Sequence, residues 1–244
     1  MLRARLLLIA MTVTLVSCAP TQHKNAEPAK PAATAAVRAN PLLERSTLLY
    51  QAPPFDKITD ADYEPAIEEG MKRQMVEVEK IANNPAAPTF ENTIEALERS
   101  GDLFVRATKV FFAITQANTN DTLQKIQEDE APKVAAHADA IALNPKLFAR
   151  VKAVYDARDS LDPEQKTVAE HYYRNFVRAG AKLSTADQDK LKELNKEEST
   201  LSTTFANKLL AATKNGALVV DSKDALAGFS ESDLAAAEEA GKDR

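Results

Sequence analysis

The chain has 244 residues with a formal net charge of −5 at pH 7, 44% hydrophobic residues and a single cysteine. One cysteine cannot form an internal disulfide, which excludes a disulfide-stapled domain. A mildly acidic chain without a basic cluster is atypical of nucleic-acid-binding proteins, so nucleic acid is not expected as a partner.

The first 17 residues have the three parts of an export signal. Arg3 and Arg5 supply the positive start, an apolar stretch runs from Leu6 to Val16, and small residues follow. This stretch is about half as long as the roughly 20 residues that cross a bilayer as a helix. We therefore predict a signal peptide at residues 1–17 and not a membrane-spanning anchor. Its removal takes the formal charge from −5 to −7.

The signal ends in Leu15, Val16, Ser17 and Cys18, which resemble the bacterial lipobox. In a lipobox the cysteine sulfur is the nucleophile that takes up a diacylglyceryl group, and a signal peptidase then cuts, here between Ser17 and Cys18. The acyl chains of a mature lipoprotein anchor it stably to a membrane. Ala19 stands where inner-membrane lipoproteins often carry Asp, so we expect the periplasmic face of the outer membrane. An ordinary signal peptide with a chance cysteine is the alternative.

Residues 18–50 are predicted to form a flexible tether between the lipidated cysteine and a folded domain. Their centre, "AEPAKPAATAAVRAN", is rich in proline and alanine and lacks the large apolar side chains that would offset the entropy of ordering. The prolines are Pro20, Pro28, Pro31 and Pro41. His23 has no metal-binding partner near it in the sequence, and we expect no metal role for it.

Residues 51–244 show helical periodicity and predict an all-α domain with at most one short strand. Apolar residues in the segment 62–82 recur at intervals of three and four, which places them on one helical face. They are Ile67, Met71, Met75, Val78 and Ile81. Further helices are predicted after Thr89, at about 121–142, at 145–158 and 163–179, after Ser184, and at 230–240. The short apolar run at 217–220 fits a strand.

Two residues mark special positions in these helices. Gly101 falls within the helix predicted after Thr89, where a glycine costs about 1 kcal/mol relative to alanine, and we interpret it as a close contact between helices. Pro132 removes a backbone donor and crowds the preceding turn. The segment 121–142 is therefore predicted to kink or divide near Ala131.

The sequence contains no recognisable catalytic motif. A helical zinc peptidase site needs two histidines four residues apart with a glutamate after the first. The chain has His23, His137 and His171, and none is four residues from another. We interpret His137 and His171 as residues that pack or hydrogen-bond locally, and we predict no catalytic residue, metal ligand or cofactor in this chain. Aromatic residues at helical spacing are interpreted as core residues: Tyr172, Tyr173 and Phe176.

Several blocks of the sequence are similar to a known peptidase family. The most specific is "PTFENTIEALERSG" at 88–101, and the similarity continues through "VFFAITQANTNDTLQKIQ" and "LVVDSKDALAGFSESDL" over nearly all of 51–244. These blocks resemble the N-terminal part of the bacterial peptidyl-dipeptidases of the thimet oligopeptidase and neurolysin family. The resemblance implies a zinc metallopeptidase, almost wholly helical, whose two lobes enclose a deep channel. Such enzymes release dipeptides from the free C-termini of short peptides.

In that family the HExxH motif and a third glutamate ligand lie in the C-terminal half, and no residue of this chain matches them. The resemblance implies that residues 51–244 are the N-terminal helical domain, truncated, which lines the substrate channel and is inactive alone. Its implied partners are short peptides, the membrane and a missing catalytic half.

Three hypotheses remain open at this point. The chain is a fragment of a lipoprotein peptidyl-dipeptidase, a short membrane-anchored lipoprotein that binds peptides or other partners without catalysis, or one part of a split enzyme. The final helix and the lone strand have little to pack against, so the domain looks unfinished. The fragment hypothesis predicts an exposed apolar surface on the helices, where the remaining half would pack.

Overall fold

The computed structural model describes residues 38–216, 218, 220 and 222–241, and every regular element in this part of the chain is helical. The all-α prediction is therefore confirmed. Leu218 and Val220, the described members of the predicted strand, lie in neither a helix nor a strand. The predicted signal peptide, His23 and most of the predicted tether lie outside the described residues.

The described residues form eight α-helices. They are α1 (Tyr63–Ala82), α2 (Ala96–Glu98), α3 (Asp102–Ala117), α4 (Asp121–Ala142), α5 (Pro145–Asp156), α6 (Pro163–Arg178), α7 (Thr185–Asn215) and α8 (Glu231–Gly241). A π-helical turn at Phe90–Glu95 leads directly into α2. Short 3₁₀ turns lie at Leu49–Gln51, Asp60–Asp62, Arg158–Ser160 and Lys223–Leu226.

The helices begin at side chains that accept hydrogen bonds from the free N–H groups of the first turn. Asn144 Oδ1 accepts from the backbone nitrogens of Lys146 and Leu147 at 3.0 and 3.1 Å, and Pro145 takes the first position of α5. Asp162 caps α6 in the same way. Thr89 caps the π-helical turn and Ser184 caps α7. These four helix starts agree with the sequence prediction.

Helix α1 contributes to both hydrophobic cores of the described structure. Its first half packs with α3 and the start of α4, and its second half packs with the π-helical turn, α5 and α6. The first core comprises Leu42, Tyr63, Ala66, Ile67, Ala107, Phe111, Leu123 and Ile126. The second comprises Val78, Ile81, Ala82, Ile94, Leu97, Leu147, Val151, Val154, Ala169 and Phe176. One helix therefore connects the two cores.

The crossing of α1 and α3 requires a glycine at position 70. A Cβ atom on Gly70 would lie 2.6 Å from the Cα atom of Phe104 and 2.8 Å from its backbone nitrogen. Backbone atoms within a packed helix cannot move aside as a flexible side chain does, so a larger residue would push the two helices apart. Gly70 was not singled out by the sequence analysis, which assigns a close helix contact to Gly101.

Gly101 makes the predicted close contact with another helix, because a Cβ atom on it would lie 2.4 Å from Gln74 Cδ on α1, but it does not lie inside a helix. It separates α2 from α3, so the helix predicted after Thr89 does not continue through it. Its φ of 76° lies in the left-handed region, which favours glycine. Its N–H donates to Glu77 Oε2 on α1 at 2.7 Å. The prediction of a continuous helix was wrong because the apolar periodicity persists across a turn that α1 holds in place.

Helix α4 continues through Pro132, so it does not divide near Ala131, while the kink, the other predicted outcome, stays a prediction. A proline inside an isolated helix costs about 3 kcal/mol or more. Because α4 packs against both α1 and α7, tertiary contacts compensate for the lost backbone hydrogen bond.

The folded unit begins at Ala39, within the segment predicted to be a tether. Leu42 is 4% exposed and belongs to the first core. Arg106 Nη1 on α3 donates to the backbone oxygens of Leu42 and Glu44 at 3.2 and 3.0 Å. Residues 39–44 therefore pack with the domain, because partners far along the chain hold them in a way that local composition does not reveal.

We expect Gly70→Ala to destabilise the domain. The added methyl group meets backbone atoms of Phe104, and overpacking of this kind costs about 1–3 kcal/mol of unfolding free energy. The helix preference for alanine offsets up to about 1 kcal/mol, so a net loss remains. Urea denaturation followed by far-UV circular dichroism measures it.

Gly241→Ala is the matched control, since a Cβ at this helical position meets nothing within 4 Å. It is expected to leave the unfolding midpoint unchanged or to raise it slightly. A Gly70→Ala variant that is as stable as the unsubstituted protein would contradict the assigned role of Gly70.

Candidate functional site

The two histidines in the described part of the chain lie on different helices and have different partners. His137 on α4 is 8% exposed, its Nε2 donates to Gln74 Oε1 at 2.7 Å, and its ring meets that of Phe104 at 5.0 Å. His171 on α6 accepts from Asn175 Nδ2 at 2.8 Å. Both histidines therefore make the local contacts that the sequence analysis expects.

The environment of His137 favours its neutral form. Burial lowers the pKa of this imidazole below its ordinary value of 6.5. Gln74 and Phe104, the side chains that contact the ring, are uncharged and do not compensate the cost of an imidazolium. His137 is thus a hydrogen-bond donor between α4 and α1.

A cluster of three carboxylates lies between α1 and α4. Oxygens of Glu64, Glu68 and Glu130 lie within 4.8 Å of one another. Lys133 Nζ lies among them, 2.5 Å from Glu68, 2.7 Å from Glu130 and 3.7 Å from Glu64. Burial raises the pKa of Glu130, and the hydrogen bonds to Glu130 and Glu68 raise the pKa of Lys133. The ammonium therefore neutralises part of the carboxylate charge and ties α4 to α1.

The carboxylate cluster does not fit a catalytic zinc ion. Catalytic zinc sites in proteins use histidine or cysteine among their ligands, and the cluster contains carboxylates alone with an ammonium already between them. Neither His137 nor His171 belongs to a group with metal-binding geometry among the described residues. The donors in this part of the chain therefore do not support zinc-dependent hydrolysis.

A cavity of about 310 Å³ lies beside the start of α3. Its lining includes Arg45, Arg73, Arg106, Glu44, Glu77 and Asp102. Arg45 and Arg106 both bond to Asp102, at 2.8 and 3.2 Å. Two guanidinium groups thus bind the Asp102 carboxylate, and Arg45 and Arg106 hold the N-terminal segment against α3. Sequence reasoning missed the cavity because Arg45 and Asp102 lie 57 positions apart.

Helix α7 packs its polar side against α4. A set of its half-buried residues recurs at intervals of four and seven: Gln188, Asn195, Ser199, Thr203 and Asn207. Asn195 Nδ2 donates to Asp139 Oδ1 at 2.7 Å, and Asn207 Nδ2 donates to Glu128 Oε1 at 2.9 Å. A surface helix ordinarily buries its apolar stripe, so α7 has the reverse arrangement from Leu194 onward, whereas Leu191 is half-buried beside Gly180.

The apolar side of α7 is exposed to solvent. Leu194, Leu201, Phe205 and Leu209, which we call the α7 apolar face, are 61, 60, 68 and 55% exposed. They lie on one side of the helix over about 22 Å.

No helix in the described part of the chain, α7 included, has both the length and the apolar character to cross a bilayer. An exposed apolar surface, as the fragment hypothesis predicts, is therefore present.

The aromatic residues of α6 pack as predicted. Phe176 is 6% exposed in the second core. Tyr172 donates its hydroxyl to Glu98 Oε1 at 2.7 Å, and the Tyr173 ring stacks on that of Tyr155 at 3.9 Å. These side chains join α6 to α2 and α5.

Ser17 and Cys18, the predicted cleavage and lipidation residues, lie outside the described residues. Cleavage between them and lipidation of the thiol stay predictions from the sequence.

The sequence is similar to peptidases over most of its length. It is 49% identical over 207 residues to the dipeptidyl carboxypeptidase of Escherichia coli (strain K12) and 48% identical over 207 residues to that of Salmonella typhimurium. It is 27% identical over 203 residues to the oligopeptidase A of Escherichia coli (strain K12). These matches cover 84, 84 and 81% of this chain.

The chain spans about 30% of the length of the curated relatives it matches. No family model matches the chain. These relatives fit the peptidase family that the sequence blocks resemble. The predicted similarity to peptidases of that family is therefore confirmed.

We expect Lys133→Met to lower the unfolding free energy by about 2 kcal/mol at neutral pH. The substitution removes the cation from Glu130, which is 2% exposed and poorly solvated as a carboxylate. Urea unfolding followed by circular dichroism measures the loss. The double variant Lys133→Met with Glu130→Gln should regain most of it, because the amide carries no charge.

The matched control is Lys125→Met on the same helix. Lys125 pairs with Asp129, and both side chains are substantially exposed. Such pairs contribute about 0.5 kcal/mol. Equal effects of the two lysine substitutions would mean that the buried carboxylate does not depend on Lys133.

We expect acidification to destabilise the protein through His137. Its folded-state pKa lies below the value of about 6.5 in the unfolded chain, so the unfolded state binds the proton first as the pH falls. The contribution of neutral His137 to the unfolding free energy is complete above pH 6.5. Below that pH it declines by at most about 1.4 kcal/mol per pH unit. Relative to His137→Gln, the unsubstituted protein should therefore lose unfolding free energy between about pH 7.5 and 5.

His171→Gln is the control for this experiment, because it leaves the contacts of His137 intact. The His171→Gln variant is expected to keep the pH dependence that these contacts cause. A difference between the unsubstituted protein and His137→Gln that stays constant over the range would refute the assignment.

Proposed function

We propose that this chain is the N-terminal, non-catalytic part of a peptidase that releases dipeptides from the C-termini of short peptides. The observation that carries the proposal is the similarity to the dipeptidyl carboxypeptidase of Escherichia coli, with 49% identity over 84% of this chain and 30% of the relative. The weaker similarity to oligopeptidase A supports peptides as the substrate class.

In this proposal the zinc ion and its ligands belong to a catalytic part outside the chain. The chemistry of the described residues supports that division. The carboxylates between α1 and α4 are bound to Lys133, and the histidines are engaged in local hydrogen bonds. The chain itself is thus proposed to hydrolyse no peptide.

The role proposed for the chain is that of a rigid wall of the substrate channel. Two hydrophobic cores connected by α1 hold the helices from α1 to α6 together. Such a helical layer excludes folded proteins by steric hindrance and admits short, extended peptides. Selectivity by substrate size would then arise partly in this region.

The proposed location is the periplasmic face of the outer membrane. The export signal at 1–17, the lipobox ending in Cys18 and the Pro/Ala-rich segment after it support this proposal from the sequence. The lipid would hold the peptidase at the membrane surface, with the residues between Cys18 and Ala39 as spacer.

A chimera tests the proposed function. In it the segment of this chain that matches the Escherichia coli dipeptidyl carboxypeptidase replaces its counterpart in that enzyme. We expect the chimera to release dipeptides from a short peptide with a free C-terminus in the presence of zinc, as followed by mass spectrometry. This chain alone, with stoichiometric zinc, is expected to release none.

The relative without the replaced segment is the control, and it should lose activity or its restriction to short substrates. A folded but inactive chimera would refute the proposal that this chain is an equivalent channel wall. Zinc-dependent dipeptide release by this chain alone would refute its non-catalytic role and would point to a membrane-anchored enzyme in its own right.

A further inference from the structure

We propose that the α7 apolar face docks against the catalytic polypeptide that corresponds to the part of the longer relatives beyond this chain's match. The inference rests on the proposed function in one respect: the docked polypeptide is taken to be the remainder of the same peptidase. Beyond the proposed function, it names the surface through which this chain contacts the catalytic polypeptide.

The orientation of α7 is the first argument. The helix places Asn195 and Asn207 against α4, where each donates to a carboxylate of that helix. Its four large apolar side chains are more than half exposed. A helix that covers its amides and leaves leucine and phenylalanine in water is typical of an interaction site, in which a further surface covers the apolar side.

The extent of the apolar surface is the second argument. Beyond α7, Leu218 and Phe229 are also 87 and 60% exposed, so apolar side chains stay in solvent along the chain after the helix. The matched relatives are much longer than this chain, which spans 30% of the dipeptidyl carboxypeptidases. Most of their length is therefore available to cover such a surface.

Glu198 is the third argument, and it favours a protein as the occupant. It lies four residues after Leu194 and three before Leu201, within the apolar face, and its Oε1 accepts from Ser202 Oγ at 2.7 Å. A carboxylate at this position is costly to place among lipid acyl chains. A second copy of α7 packed parallel and in register would bring like charges together. A protein surface with a cation or hydrogen-bond donor opposite Glu198 avoids both costs.

The double substitution Leu201→Asp with Phe205→Asp tests the proposal in two contexts. In this chain alone both side chains lie in water, so the thermal unfolding midpoint should shift by less than about 2 °C. In the chimera the same substitutions place two charges in the interface, and the midpoint should fall by more than about 5 °C. The dye 8-anilinonaphthalene-1-sulfonate should bind to the unsubstituted chain and much less to the unsubstituted chimera.

Val76→Asp is the matched control, because Val76 is 52% exposed and belongs to α1, not to the α7 apolar face. It should have the same small effect in both contexts. Equal shifts for the double variant in the chain and the chimera would overturn the proposal. So would sedimentation or vesicle flotation showing that the face pairs with a second copy or with phospholipid vesicles while it stays exposed in the chimera.

The readouts separate this inference from the proposed function. Context-dependent destabilisation in a chimera that releases no dipeptide would support docking and refute the function. An active chimera in which the double substitution has no greater effect than in the isolated chain would support the function and refute docking through α7.

Discussion

The close approach of α1 and α3 at Gly70 is the constraint on which the rest of the structure depends. Because no Cβ separates Gly70 from the backbone of Phe104, α3 can lie close enough for the first core to form. The second half of α1 then presents Val78 and Ile81 to the other core. Any shift of α1 at Gly70 would therefore change the packing of both cores.

Polar side chains among the described residues hold the packed helices together. Lys133 joins two helices through carboxylates that would otherwise repel, and His137 joins the same two helices as a neutral donor. Two arginines and Asp102 hold the N-terminal segment in place. Because each of these groups binds a partner within the domain, the proposed contribution of the chain to peptide hydrolysis is the shape of the channel wall and not a chemical step.

Local signals in the sequence predicted most helix starts and the all-α class. Asn144 with Pro145 and Asp162 with Pro163 are capping pairs whose effect does not depend on distant residues. The predicted continuous helix through Gly101 and the possible division at Pro132 were wrong. Gly101 adopts a left-handed conformation with its N–H bound to Glu77, and Pro132 is tolerated because α4 is supported by two neighbouring helices. Both outcomes depend on residues far away in the chain.

The sequence by itself determined the helical class, the similarity to dipeptidyl carboxypeptidases and the lack of an HExxH motif, because periodicity, caps and motifs are local properties. Only the tertiary structure decided which glycine lies at a helix crossing, where the folded unit begins, and which side of α7 is covered. The spacing of Leu201 and Phe205 places both on one side of α7. It cannot tell that α4 covers the polar side, since that choice depends on Asp139 and Glu128 on another helix.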